Sequence, residues 1–155
     1  MKSNRRKLRE KILQILYAYE LSGNELTEII KEQFPEIKNE NDLNFVYGII
    51  NYITENKTEL DEIIKKRLVN WEVYRIAIID RLLLQIGIAE FLFAEDIPTK
   101  VTINEIIEIA KEFSMANSGK FINGILDAVL IDLKKEGKIK KVGRGLIEKS
   151  NKQKS

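Results

Sequence analysis

The sequence predicts an all-α protein, and three observations carry that expectation. Every long apolar pattern recurs with a period near 3.6 residues. Ser22 to Asn24, Pro35 and Pro98 divide the chain into helix-length segments. No stretch alternates apolar and polar side chains as a convincing strand would.

Leu8, Ile12, Leu13, Ile15, Leu16 and Tyr19 place a first helix over 4–21, with Ser3 or Asn4 able to cap it. A short helix from Glu25 to about Phe34 ends at Pro35, and a polar loop follows to Asp42. Leu43, Val46, Tyr47, Ile49, Ile50 and Ile53 mark a third helix to about Asn56. Thr58 can cap a fourth that carries Leu60, Ile63, Ile64 and Leu68. Trp71 lies near the next junction. Tyr74 to Phe93 is apolar nearly all round, as a helix packed on several sides must be. Thr102-Ile-Asn-Glu105 reads as a capping box for a helix to Phe113. Asn117 or Ser118 can cap the last helix, whose stripe runs from Phe121 to Leu133. Seven helices result, with Leu84, Ile88, Ile106, Ala110, Ile125 and Val129 expected in the core. The expected organisation is one helical domain over 1–136, with a divide near 56–58 between a helical trio and a later four, and a basic flexible tail over 137–155.

The chain has 155 residues with no cysteine and no histidine, which excludes disulfides, thiolate or imidazole metal sites and Ser-His or Cys-His nucleophiles. No apolar run approaches the roughly 20 residues that span a bilayer, so a cytoplasmic protein is expected. The net charge of +2 is strongly polarised. Residues 1–11 hold six basic residues and one acid, +5; residues 134–155 carry +7; residues 12–133 carry −10. Basic ends suit a polyanion, and an acidic body suits a basic protein partner.

Cations at a helix N-terminus oppose the macrodipole, so the basic start calls for a compensating anion. Lys2, Arg5, Arg6 and Arg9 fall within about 100° on a helical wheel, and Tyr17 lies about 20° from Arg6. That arc suits phosphates, with Tyr17 available to stack on an unpaired base; a solvated basic turn with Tyr17 half in the core is the other reading. Lys120 and Phe121 sit in the first turn of the last helix, where backbone N–H groups favour anions, although Phe121 is also placed for core packing. Glu105, Glu108 and Glu112 lie on the solvated side of their helix. The glycines form no phosphate-binding loop, so neither a catalytic residue nor a cofactor or metal is expected.

Four stretches, RRKLREKILQILYAYE, RIAIIDRLLLQIGIAEF, IPTKVTINEIIEIAKEFS and SGKFINGILD, together resemble the NusB family of bacterial transcription antitermination factors. The resemblance runs from about residue 5 to 130. It implies two small helical bundles packed across each other and a function without chemistry. Such proteins pair with NusE, a small-ribosomal-subunit protein, and bind the box A element of nascent ribosomal RNA in an RNA polymerase antitermination complex.

By resemblance Arg5, Arg6 and Arg9 match the arginine-rich RNA motif, Tyr17 the tyrosine after it, and Lys120, Phe121 and Asn123 the second RNA-facing segment. Asp80 and Glu90 are the resemblance-based candidates for the NusE surface. The chain departs from the family at Leu8, where Ala is usual, at Gln85, where Arg is usual, and at Asn117, where an acid is common. Two other classes stay open: the N-terminal module of an RNA methyltransferase, disfavoured because the chain ends without a cofactor domain, and a helical protein-interaction module with solubilising basic ends. The sequence leaves homodimerisation open.

Overall fold

A computed structural model describes residues 2–69 and 72–147; Trp71 therefore lies outside the described residues. Within them the chain forms seven α-helices and no strand: α1 Asn4–Ser22, α2 Leu26–Gln33, α3 Glu40–Glu55, α4 Lys57–Lys65, α5 Ile78–Phe93, α6 Thr99–Phe113 and α7 Ser118–Lys135. Single 3₁₀ turns occupy Val73–Arg75 and Gly143–Leu146.

The caps follow local chemistry. The Ser3 hydroxyl accepts from the Arg6 N–H at 3.1 Å and starts α1. Gly23 closes it in the left-handed region at φ 71°, a conformation glycine adopts without strain. Asn39 caps α3 through the Asp42 N–H. α7 ends in a Schellman motif, with the Lys138 N–H on the Leu133 carbonyl and the Gly137 N–H on that of Lys134.

Three starts differ from expectation. α4 begins at Lys57 rather than behind Thr58, because Asn56 ends α3 and begins α4 at once. α5 begins at Ile78, not Tyr74, and Tyr74 stands exposed in the preceding 3₁₀ turn. α6 begins at Thr99 with Pro98 before it, so the Thr102–Glu105 pair is not a capping box. Thr102 is fully buried and its hydroxyl turns to Glu90.

α5 is the axis of the molecule: every residue from Asp80 to Phe91 is buried, and the helix packs against α1, α3, α4, α6 and α7. α1 to α3 form one layer and α5 to α7 the other, crossing through α5. The six expected core residues are all buried. Gly87 lets α7 approach α5 closely: a Cβ there would stand 3.0 Å from Leu126 Cδ2.

The expected flexible tail does not begin at Gly137. Residues 138–147 return to the body and strap the C-terminal end of α5. Lys141 Nζ donates to the carbonyls of Glu90 (2.9 Å) and Ala94 (2.6 Å), and the Val142 N–H to that of Glu95 (3.0 Å). The Glu90 and Ala94 carbonyls already accept the Ala94 and Ile97 N–H groups, so Lys141 adds a second, charged donor to each. Residues 148–155 lie outside the described residues.

Candidate nucleic-acid interface

The site grows from the contact of α1 with α6. Lys2, just before α1, meets Glu112 of α6 and Arg6 meets Glu105, while Arg9 and Thr102 share the Glu90 carboxylate between them, so the basic helix start lies along a helix rich in carboxylates. α1 has no acid in its first turn. The anions that offset its macrodipole come from α6 instead.

The expected basic arc splits into two kinds of residue. Lys2 Nζ lies 2.7 Å from Glu10 and 2.8 Å from Glu112, and Arg6 pairs with Glu105. Hydrogen bonds to those two acids raise the Lys2 ammonium above its ordinary value, and Lys2 lowers Glu112 below the usual carboxylate range. Lys11 pairs with Glu36. Arg5 forms no ion pair among the described residues; its guanidinium lies 4.0 Å from the Phe45 ring centroid, held open on an aromatic face.

Arg9 does not belong to this surface. It is 1% exposed and reaches inward to fully buried Glu90, Nε to Oε2 at 2.7 Å and Nη2 to Oε1 at 2.8 Å. Burial is the largest single influence and opposes its charge, but the hydrogen bonds to Glu90 together with the attraction of Glu90 and Glu105 outweigh it and raise the guanidinium above its ordinary value. This corrects two expectations: Arg9 cannot meet RNA, and Glu90 cannot meet NusE, without opening the core. Asp80 is corrected likewise. It is 8% exposed and accepts from the hydroxyls of Ser118, at 2.8 Å, and Ser114. Its carboxylate ties the start of α5 to the α6–α7 turn, so it positions the start of α7 instead of facing a partner.

That turn carries the second segment. Lys120, Phe121 and Asn123 are exposed on the first turns of α7. Asn117 precedes α7 but makes no side-chain cap, and Ser118 spends its hydroxyl on Asp80. Gly119 packs on α6, where a Cβ would meet Ile107 Cγ2 at 3.6 Å. Ile107 and Arg6 also line one open groove of about 530 Å³ along α6, with Val101, Asn104, Glu105, Glu108 and Lys111. The structure thus brings Lys2 and Arg6 to one edge of the α6 surface and the start of α7 to the other, with Arg5 beside them on the α3 side, over Phe45. Tyr17 is exposed on α1, eleven residues and about 16 Å along the helix from Arg6.

Sequence reasoning missed the roles of Glu105 and Glu112 as partners of Arg6 and Lys2. Their place on the solvated side of α6 was legible, but the opposing cations lie about a hundred residues away. Among the described residues there is no cluster of three or more potential metal ligands, and no helix is long and apolar enough to cross a membrane.

The chain as a whole is similar to known proteins. The model of the NusB family matches residues 6–130. The chain is 44% identical over 147 residues to the transcription antitermination protein NusB of Chloroherpeton thalassium, covering 94% of this chain and 70% of that one. It is 40% identical over the same length to that of Salinibacter ruber, covering 94% and 92%. The T. maritima NusB structure superposes with a TM-score of 0.78 at 36% identity, covering 85% of this chain and 94% of that one. A crystal structure of antitermination factors NusB and NusE with double-stranded RNA superposes with a TM-score of 0.75 at 26% identity, covering 85% and 99%.

Proposed function

Because the chain belongs to the NusB family, we propose that it is a transcription antitermination factor that binds single-stranded box A RNA of nascent ribosomal transcripts together with a NusE-like protein. The observation that carries the reading is the pairing of two unlike features around α6. One is a cationic helix start with Arg5 free of ion pairs among the described residues; the other is an exposed lysine and aromatic pair, Lys120 and Phe121, on the first turn of α7. Cations and an accessible ring are what a single strand requires, the first for its phosphates and the second for a base. Nothing in the reading calls for catalysis or a cofactor.

The basic partner docks on the acidic body, whose residues 12–133 carry −10 and favour encounter with a cationic surface. Asp80 and Glu90 act behind that surface. Assembly into the RNA polymerase antitermination complex follows from the same membership.

Titrating a fluorescent box A RNA with this protein, alone and with NusE, tests the proposal. Tighter binding with NusE present, and weaker binding when the box A sequence is scrambled, are expected. Equal affinity for both sequences in the presence of NusE points to the alternative, an interaction module with merely solubilising basic ends.

A further inference from the structure

Of the six cations in residues 1–11, four are engaged by carboxylates of the same chain: Lys2 by Glu10 and Glu112, Arg6 by Glu105, Arg9 by Glu90, and Lys11 by Glu36. The Arg9 pair is sealed in the core, whereas the others keep solvent contact. Arg6 and Lys2 are the two that lie along α6, and their partners Glu105 and Glu112 stand on that same helix. The side chains of Arg6 and Glu105 are 28% and 18% exposed, so the pair is accessible but not freely hydrated. Arg6 and Glu105 both line the groove along α6.

We infer that Glu105 and Glu112 are displaceable internal anions: each holds its cation in place in the free protein and is exchanged for an RNA phosphate on binding. This inference rests on the RNA reading above and adds to it two positioning residues that set affinity. The reason is electrostatic. A phosphate that takes the Arg6 Nε–H must displace the Glu105 carboxylate, and one that binds the outer N–H groups still sits close to it, where the two anions repel. Binding through Arg6 and Lys2 therefore trades one anion for another and gains only the difference. Each freed carboxylate also keeps a counterion near the strand, so fewer cations are released than the number of protein charges suggests. Arg5 has no such competitor among the described residues.

The test uses the full chain and a box A RNA oligonucleotide, with affinity measured across a salt series. Glu105→Gln and Glu112→Gln keep shape and remove charge; Glu112 is half exposed, so its substitution carries little risk to folding. Glu62→Gln makes the same one-unit change in net charge as either of these substitutions taken singly, on the exposed side of α4, and α4 lies beside the far end of α7, where Arg67 pairs with Asp132. The double Gln variant is expected to bind about 1.5- to 5-fold more tightly, the scale of an accessible ion pair. Its salt slope should steepen by up to about 0.7 per charge removed. Glu62→Gln should leave the slope unchanged. A structural role alone would lower melting temperature without raising affinity. Unchanged or weaker binding by the folded double variant, or an equal gain from Glu62→Gln, overturns the inference while the RNA reading stands. Absence of RNA binding by the unaltered chain, with or without NusE, removes both.

Discussion

Arg9 grips Glu90 through two hydrogen bonds of 2.7 and 2.8 Å, and the Thr102 hydroxyl adds a third to the same carboxylate at 3.0 Å. The pair joins α1 to α5, and Thr102 brings in α6. Breaking a buried pair by deleting one partner strands the other charge, at a cost of about 3–5 kcal/mol. Glu90→Ala and Arg9→Ala are each expected to lower the melting temperature by about 10 °C, at roughly 2–4 °C per kcal/mol for a chain of this size. Thermal denaturation followed by circular dichroism measures this. A loss of RNA binding by a fully folded Arg9→Ala protein would contradict the internal role.

Removal of exposed contacts should act on RNA with only a small effect on stability. Arg5→Ala and Lys120→Ala should each flatten the salt slope by about 0.7 and weaken binding whatever the sequence. Phe121→Ala should cost about 1–3 kcal/mol of binding at nearly constant slope, because a stacked ring displaces no counterion. Anisotropy titrations at four or five salt concentrations separate the two classes.

Asp80 reaches the same surface indirectly. Asp80→Ala leaves the buried Ser118 hydroxyl without its acceptor, while Ser114 keeps only Ser118 to donate to, at about 1–3 kcal/mol of stability. Hydrogen exchange should quicken at the first turn of α7, and RNA should bind less tightly while NusE binding holds. Unaltered exchange there would show that α7 needs no such tie.

At the other end of α5, Lys141 is half-buried, and burial pushes its ammonium below the usual lysine value. Lys141→Met removes the donor shared by the Glu90 and Ala94 carbonyls, and because each still accepts a backbone N–H, about 0.5–1.5 kcal/mol of stability should go with it. Deleting residues 138–155 removes this strap together with the basic charge. Melting temperature and RNA affinity of such a truncation therefore have to be measured side by side.

Glu36, Glu112 and Asp132 are held below their ordinary values chiefly by hydrogen bonds to Lys11, Lys2 and Arg67. With folded values lower than unfolded ones, their contribution is complete above the unfolded values of 4.5 and 3.8 and is lost as pH falls through the folded ones. Stability should decline below about pH 4.5. The decline should be shallower in a Lys2→Met, Lys11→Met protein and at high salt. Equal slopes in the original and doubly substituted proteins would deny these pairs any role in acid stability.

The sequence by itself determined the helices and the core. Periodicity, Ser3 before α1 and the breaks at Gly23, Pro35 and Pro98 are local signals, readable within one or two turns. It also placed Lys120 and Phe121 at a helix start. What it could not decide was the fate of each charge. The wheel put Arg9 on the same arc as Arg5 and Arg6, yet Arg9 turns to a carboxylate 81 residues away, Arg6 to one 99 residues away, and Arg5 to the face of Phe45. Glu90 and Asp80 are candidates for a partner surface by resemblance alone, whereas unpaired acids on a helix are ordinarily solvated and these two are buried. Only tertiary packing gave them their donors: α1 brings Arg9 and α6 brings Thr102 to Glu90, and the α6–α7 turn brings Ser114 and Ser118 to Asp80. A helical pattern fixes the direction in which a side chain leaves its own axis, whereas an ion pair also needs the position of a second axis, and the tertiary packing sets that.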